Sequence, residues 1–304
     1  MKLKLALLAA GLALAGPARA VPGDWVLGVE PVATPVQPGA VDLPVSAASG
    51  NPGHEAWARQ DPRQRMVYNV SRPQLLPWPS TLPKTRTAPA VLLVPGGGFQ
   101  YLAMDNEGFD VARRLDRQGV RVFIVKYRTA PVADSFAGFK AAITATFMHG
   151  EKVPLNMLPL AVADTQAAIR MVRGRAAAWH VDPARIGILG FSAGAMTVLA
   201  ATQANAPDAR PDFVGMVYGP TAGTDVPPHA PPLFSAIAAD DRFFKGQDLS
   251  LIHAWRQAGS PVELHLYSAG GHGFASQQRG TTSDAWFDQF ALWLKDMGLT
   301  SAKR

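Results

Sequence analysis

A serine flanked by glycines, in Gly190-Phe191-Ser192-Ala193-Gly194, constrains this chain more than any other stretch. The pattern G-x-S-x-G fits a nucleophile elbow, a sharp turn from strand into helix that holds a hydroxyl out at the bend. The flanks agree. Residues 185–189 form a short apolar run suited to a buried strand, and residues 193–204, alanine-rich with Met196, Val198 and Leu199, read as the helix that follows. Glycine two residues either side of the serine suits a turn with no room for Cβ atoms.

The same rhythm extends through the chain. Strands are expected at 66–70, 90–94, 120–127, 213–218, 233–238 and 262–267, and helices at 106–118, 161–180, 249–258 and 284–297. Residues 73–83 read as a proline-punctuated loop and 21–65 largely as an irregular segment wrapping the surface. Repeated strand-helix units with apolar strands predict an α/β fold, a mostly parallel central sheet with helices on both faces, whose sites lie at the carboxyl ends of the strands. Residues 66–304 would form that domain. Residues 133–160 break the rhythm: Phe136, Phe139, Ile143, Phe147 and Met148 sit at near-helical spacing before a looser stretch. Either a lid over the site or an ordinary packing helix fits that stripe.

Residues 1–20 carry the pattern of an export signal: Lys2 and Lys4, a continuous apolar core over 5–16, and Ala18-Arg19-Ala20 as a small-x-small cleavage site. The apolar run is shorter than the roughly 20 residues a spanning helix needs. Cleavage after Ala20 would leave a periplasmic or secreted protein with no stable membrane insertion. The 304 residues include no cysteine, which excludes disulfides, thiolate metal sites and a cysteine nucleophile. The net charge of +6 is spread over scattered Lys and Arg rather than concentrated in a basic block, so nucleic acid is not an expected partner.

A serine hydroxyl needs a base, and the base needs a third group to orient it. In this type of fold the chain order is serine, acid, histidine. His54, His149 and His180 precede the serine, His229 comes before any suitable acid, and His253 and His265 lie within a helix and a strand. His272 remains, in the flexible loop Gly270-Gly271-His272-Gly273-Phe274 after the last strand. The acid should end a strand between them, where Asp240-Asp241 closes the run 232–239; Asp241, deeper in the turn, is favoured over Asp240. Gly96-Gly97-Gly98 follows the strand at 90–94. Bare N–H groups of Gly97 and Gly98, with that of Ala193, would form an oxyanion hole for the charge that builds when Ser192 attacks a carbonyl. Neither a phosphate-loop Gly-Lys-Ser/Thr nor G-x-G-x-x-G occurs, and no metal or organic cofactor is implied.

These motifs occur in the order of the α/β-hydrolase superfamily. Glu107-Gly108-Phe109-Asp110-Val111-Ala112-Arg113-Arg114-Leu115, Val125-Lys126-Tyr127-Arg128, Ala163-Asp164-Thr165-Gln166-Ala167-Ala168-Ile169-Arg170 and Trp179-His180-Val181-Asp182-Pro183-Ala184-Arg185-Ile186 make residues 66–294 resemble the bacterial acetylxylan-esterase-type carbohydrate esterases. The resemblance implies a triad on Ser192, Asp241 and His272 and a small-molecule or carbohydrate ester as substrate. The chain departs from that branch at Pro95, where many related esterases have His, and at Ala195-Met196, where Gly-His is usual. The expectation is an exported serine esterase for short acyl groups, acetyl foremost. A prolyl-oligopeptidase-like peptidase and a non-catalytic binding module on the same fold are the rivals.

Overall fold

Strands buried along their whole length form the centre of the molecule, because their sequences are largely apolar. The structure, a computed structural model, describes residues 24–45, 54–61, 64–132 and 135–300; the expected export signal over 1–20 lies outside them. In chain order the strands are β1 (Glu30–Val32), β2 (Val41–Asp42), β3 (Ala56–Arg59), β4 (Arg65–Tyr68), β5 (Gln74–Pro77), β6 (Ala88–Val94) and β7 (Tyr101–Ala103). After them come β8 (Arg121–Lys126), β9 (Val181–Phe191), β10 (Phe213–Val217), β11 (Leu233–Ala238) and β12 (Val262–Tyr267). The helices are α1 (Asp110–Arg117), α2 (Phe136–Phe147), α3 (Leu158–Gly174), α4 (Ala176–Trp179), α5 (Ala193–Gln203), α6 (Ser250–Gln257) and α7 (Trp286–Asp296).

Eight strands build the main sheet in the order β12-β11-β10-β9-β6-β8-β5-β2. The five pairings from β12 to β8 are parallel, and β8-β5 and β5-β2 are antiparallel. Two glycines show that helices cover both faces. A Cβ on Gly190 of β9 would strike Gly194 and Ala195 of α5, whereas one on Gly215 of β10 would meet Leu189 and Phe290 of α7. Neighbouring residues of β9 point to opposite sides, so α5 and α7 lie on opposite faces.

A second sheet, β1-β3-β4-β7, is antiparallel throughout. Its alternation divides two cores. Trp57, Val67 and Leu102 join the large core of the main sheet. Their neighbours Ala58, Met66, Tyr68 and Tyr101 face a smaller core with Val26, Val29 and the α2 residues Phe139, Ile143 and Phe147. Ser135 caps α2 by accepting from the Gly138 N–H at 3.1 Å.

Several expectations need correction. Residues 21–65 are not simply irregular: their described part supplies a short 3-10 turn (Asp24–Gly28) and β1 to β3, and β4 starts at Arg65. Residues 73–83 contain β5, in which Leu75 and Leu76 are buried and Pro77 takes the last position, where its missing N–H costs little. The helix expected over 106–118 begins as a π-helical turn, Met104–Phe109, before α1. The one expected over 161–180 divides into α3 and α4.

Candidate active site

The elbow at Ser192 is a local necessity of how β9 meets α5. Ser192 has φ +52° and ψ −118°, a conformation a side chain rarely adopts, and its N–H donates to the Val217 carbonyl at 3.1 Å. A Cβ on Gly194 would lie 1.9 Å from the Val94 carbonyl oxygen, so α5 can start only where no side chain stands between it and β6. The hydroxyl is thereby raised at the carboxyl end of the sheet.

His272 reaches it from the loop after β12. Its Nε2 is 2.8 Å from Ser192 Oγ, and its Nδ1 is 2.8 Å from Asp241 Oδ2. Asp241 is fully buried, and its other oxygen accepts from the Phe243 and Phe244 N–H groups at 2.9 and 3.3 Å. Asp240 is exposed and instead accepts from the Gly271 N–H at 2.7 Å. The two adjacent carboxylates therefore do different work: one touches the imidazole and the other ties its loop. Arg279 also holds that loop, donating to the carbonyls of Gly270 and Gly273, and Asn106 accepts from the Ser276 N–H at 2.9 Å.

Gly97 and Gly98 line the same cavity, of about 510 Å³, as Ser192 and His272. Gly97 has φ +133°, and a Cβ there would lie 2.1 Å from the Tyr101 carbonyl oxygen, so only glycine lets the loop bend this sharply. Among the described residues neither the Gly97 nor the Gly98 N–H donates to another group. Ala193 opens α5, where the first N–H groups have no partner within the helix.

The candidate lid stretch supplies part of the wall. Phe147, at the end of α2, lines the cavity, and its ring centroid lies 6.0 Å from that of Phe243 and 5.4 Å from that of Trp25. Phe243 in turn meets the His272 ring edge-on at 4.7 Å. The apolar stripe of α2 thus packs into the small core while its last turn faces the site; residues 133 and 134 lie outside the described residues.

Sequence reasoning gave no role to Glu107, which lines the cavity yet is buried. Burial pushes its carboxyl up to about 7, against hydrogen bonds from Tyr218 and Gly96 that pull it down. The only sequence signal was its place in the quoted Glu107-Gly108-Phe109 motif; its partners come from distant strands. Among the described residues no group of three or more His, Asp or Glu could hold a metal ion.

Residues 82–296 match the model of the dienelactone hydrolase family. The chain belongs to that family. Its α/β-hydrolase fold agrees with the one expected from the motifs. The family member is 26% identical over 252 residues to an acetylxylan esterase of Xylanibacter ruminicola, a match covering 71% of this chain and 46% of the relative. It thus spans about half the length of that protein. It is also 30% identical over 104 residues to an endo-1,4-beta-xylanase B of Butyrivibrio fibrisolvens, covering 34% of this chain and 13% of that one. Among solved structures, an acetyl ester-xyloside bifunctional hydrolase from Caldicellulosiruptor lactoaceticus superposes with a TM-score of 0.60 at 23% identity, covering 76% of this chain and 90% of the other. An esterase from Thermogutta terrifontis superposes with 0.58 at 19% identity, covering 80% and 95%. The expected resemblance to acetylxylan-esterase-type enzymes is borne out at the level of family and fold.

Proposed function

We propose that this protein is a serine esterase that removes short acyl groups, acetyl foremost, from a carbohydrate or a similar alcohol. The observation that carries the reading is the unbroken relay from Asp241 through His272 to Ser192, with 2.8 Å at each step. That spacing is within reach of direct proton transfer. His272 Nε2 takes the Ser192 proton as Oγ attacks the ester carbonyl carbon, and Asp241 holds the imidazole and stabilises its charged form. The tetrahedral oxyanion is met by the N–H groups of Gly97, Gly98 and Ala193. Collapse expels the alcohol, which receives the proton from His272 and leaves an acyl-serine. Water then attacks that ester with His272 again as base, releasing the acid and restoring the hydroxyl.

The acetylxylan esterase relative favours acetyl as the acyl group and a sugar as the alcohol. Export after cleavage behind Ala20 belongs to the same reading; among the described residues no helix is long and apolar enough to cross a membrane. The test is hydrolysis of p-nitrophenyl acetate by wild type and Ser192→Ala, with longer acyl chains and acetylated xylan alongside. Ser192→Ala should lose at least about 1,000-fold in kcat. Equal rates would remove the serine from the reaction.

A further inference from the structure

Glu107 is a buried carboxylate with no ion pair among the described residues, a costly thing to keep. It stands in the π-helical turn Met104–Phe109, an irregularity that recurs at functional sites. Its two oxygens reach opposite sides of the active site. Oε2 accepts from the Gly96 N–H at 2.5 Å, and Oε1 accepts from the Tyr218 hydroxyl at 2.7 Å.

Each partner leads straight to the reacting groups. Gly96 begins the glycine run; a Cβ on it would lie 2.8 Å from Ser192 Cβ and 3.0 Å from Glu107 Oε2, so nucleophile and carboxylate both abut this one residue. The Gly96 carbonyl is fixed as well, accepting from Ala103 at 3.0 Å. Tyr218 follows Val217, whose carbonyl receives the Ser192 N–H. It is held at φ +40°, and its ring meets the His272 ring edge-on at 4.9 Å. We propose that Glu107 is a positioning residue for ester hydrolysis: one carboxylate braces the donor loop on one side of Ser192 and, through Tyr218, the imidazole on the other. This rests on the esterase reading above.

The bracing needs an acceptor at both oxygens, which the ionised form supplies and the protonated form does not. The titratable groups facing Glu107 are the phenols of Tyr101, Tyr127 and Tyr218, all pushed up by burial, with the charge of Glu107 adding to each. Beyond them lie His272 and Arg279 around Tyr218, Arg242 near Tyr101, and the Arg65–Asp105 pair on the preceding turn. With Glu107 pushed up to about 7, the bracing is present above that pH and lost as pH falls through it.

The experiment compares wild type, Glu107→Ala, Glu107→Gln and Tyr218→Phe in p-nitrophenyl acetate hydrolysis from pH 5 to 9. Displacing a donor loop should act in the transition state, so Glu107→Ala should lose about 10- to 100-fold in kcat with KM within about threefold. Glu107→Gln keeps an acceptor for Gly96 and should recover part of that loss. Its acid limb should follow one proton where the wild type follows two. Tyr218→Phe, which retains the ring against His272, should fall between. The proposal is overturned if these variants keep wild-type kcat, if KM rises while kcat stands, or if Glu107→Gln keeps the wild-type acid limb. Should Glu107→Ala fail to fold, Glu107→Gln and Tyr218→Phe decide. A wild type inactive on every ester would instead overturn the esterase reading, and this inference with it.

Discussion

The large and small hydrophobic cores meet at one cavity but contribute to it differently. The main sheet presents Ser192, Asp241 and His272 just beyond the carboxyl ends of β9, β11 and β12, of which β11 is buried throughout and β9 over its last six residues. The small core presents only aromatic rings, Trp25, Tyr101 and Phe147, from three stretches far apart in sequence. Under the proposed function, chemistry is anchored at the ends of the main sheet, and shape comes from side chains that pack against one another. In the proposed esterase, damage to the first core should appear in kcat and damage to the second in KM.

Substitutions can break or sharpen that contrast. The largest effect should come from Gly194→Ala, whose Cβ would run into the Val94 carbonyl and push α5 away from β6. We expect more than about a 1,000-fold loss of ester hydrolysis, since a misplaced nucleophile forfeits most of the benefit of orientation. Near-normal activity would mean that the elbow tolerates movement and that the large core is not the rigid partner. Phe139→Ala should be next. Phe139 is fully buried and stacks on Tyr68 with ring centroids 3.9 Å apart, so its loss should cost about 3–5 kcal/mol within the small core. Hydrogen exchange should speed up in α2 and β4 while β9 to β11 keep their protection; equal loosening everywhere would show one core, not two. Trp25→Ala is the mildest. It removes one ring from the cavity wall and should raise KM for acetate esters about three- to tenfold with kcat within about twofold. A fall in kcat at unchanged KM would assign the wall a role in the chemistry.

Legibility in the sequence follows the same division. β11 and β12 match their expected bounds to the residue, because each is a continuous apolar or alternating run with proline just before it. β1, β2 and β3 escape because they are two to four residues long; β1 and β2 owe their conformation to β3 and β5, far along the chain, and β3 to both β1 and the neighbouring β4. The order of Ser192, the paired acids and His272 could be read from motif spacing, yet neighbouring Asp240 and Asp241 differ only once burial is known. Glu107 was out of reach for a related reason. An acid near the start of a helix ordinarily faces solvent, and nothing local reveals that Gly96 and Tyr218 close over it.

A cavity walled partly by a small, separate core has a thermal consequence. Proteins open in blocks, and the block with the least buried apolar surface opens first. On slow warming, the aromatic wall formed by Trp25 and Phe147 should come apart while the eight-stranded sheet stays intact. Turnover would then fade at a temperature where far-ultraviolet dichroism is still unchanged, and cooling from that interval would restore it.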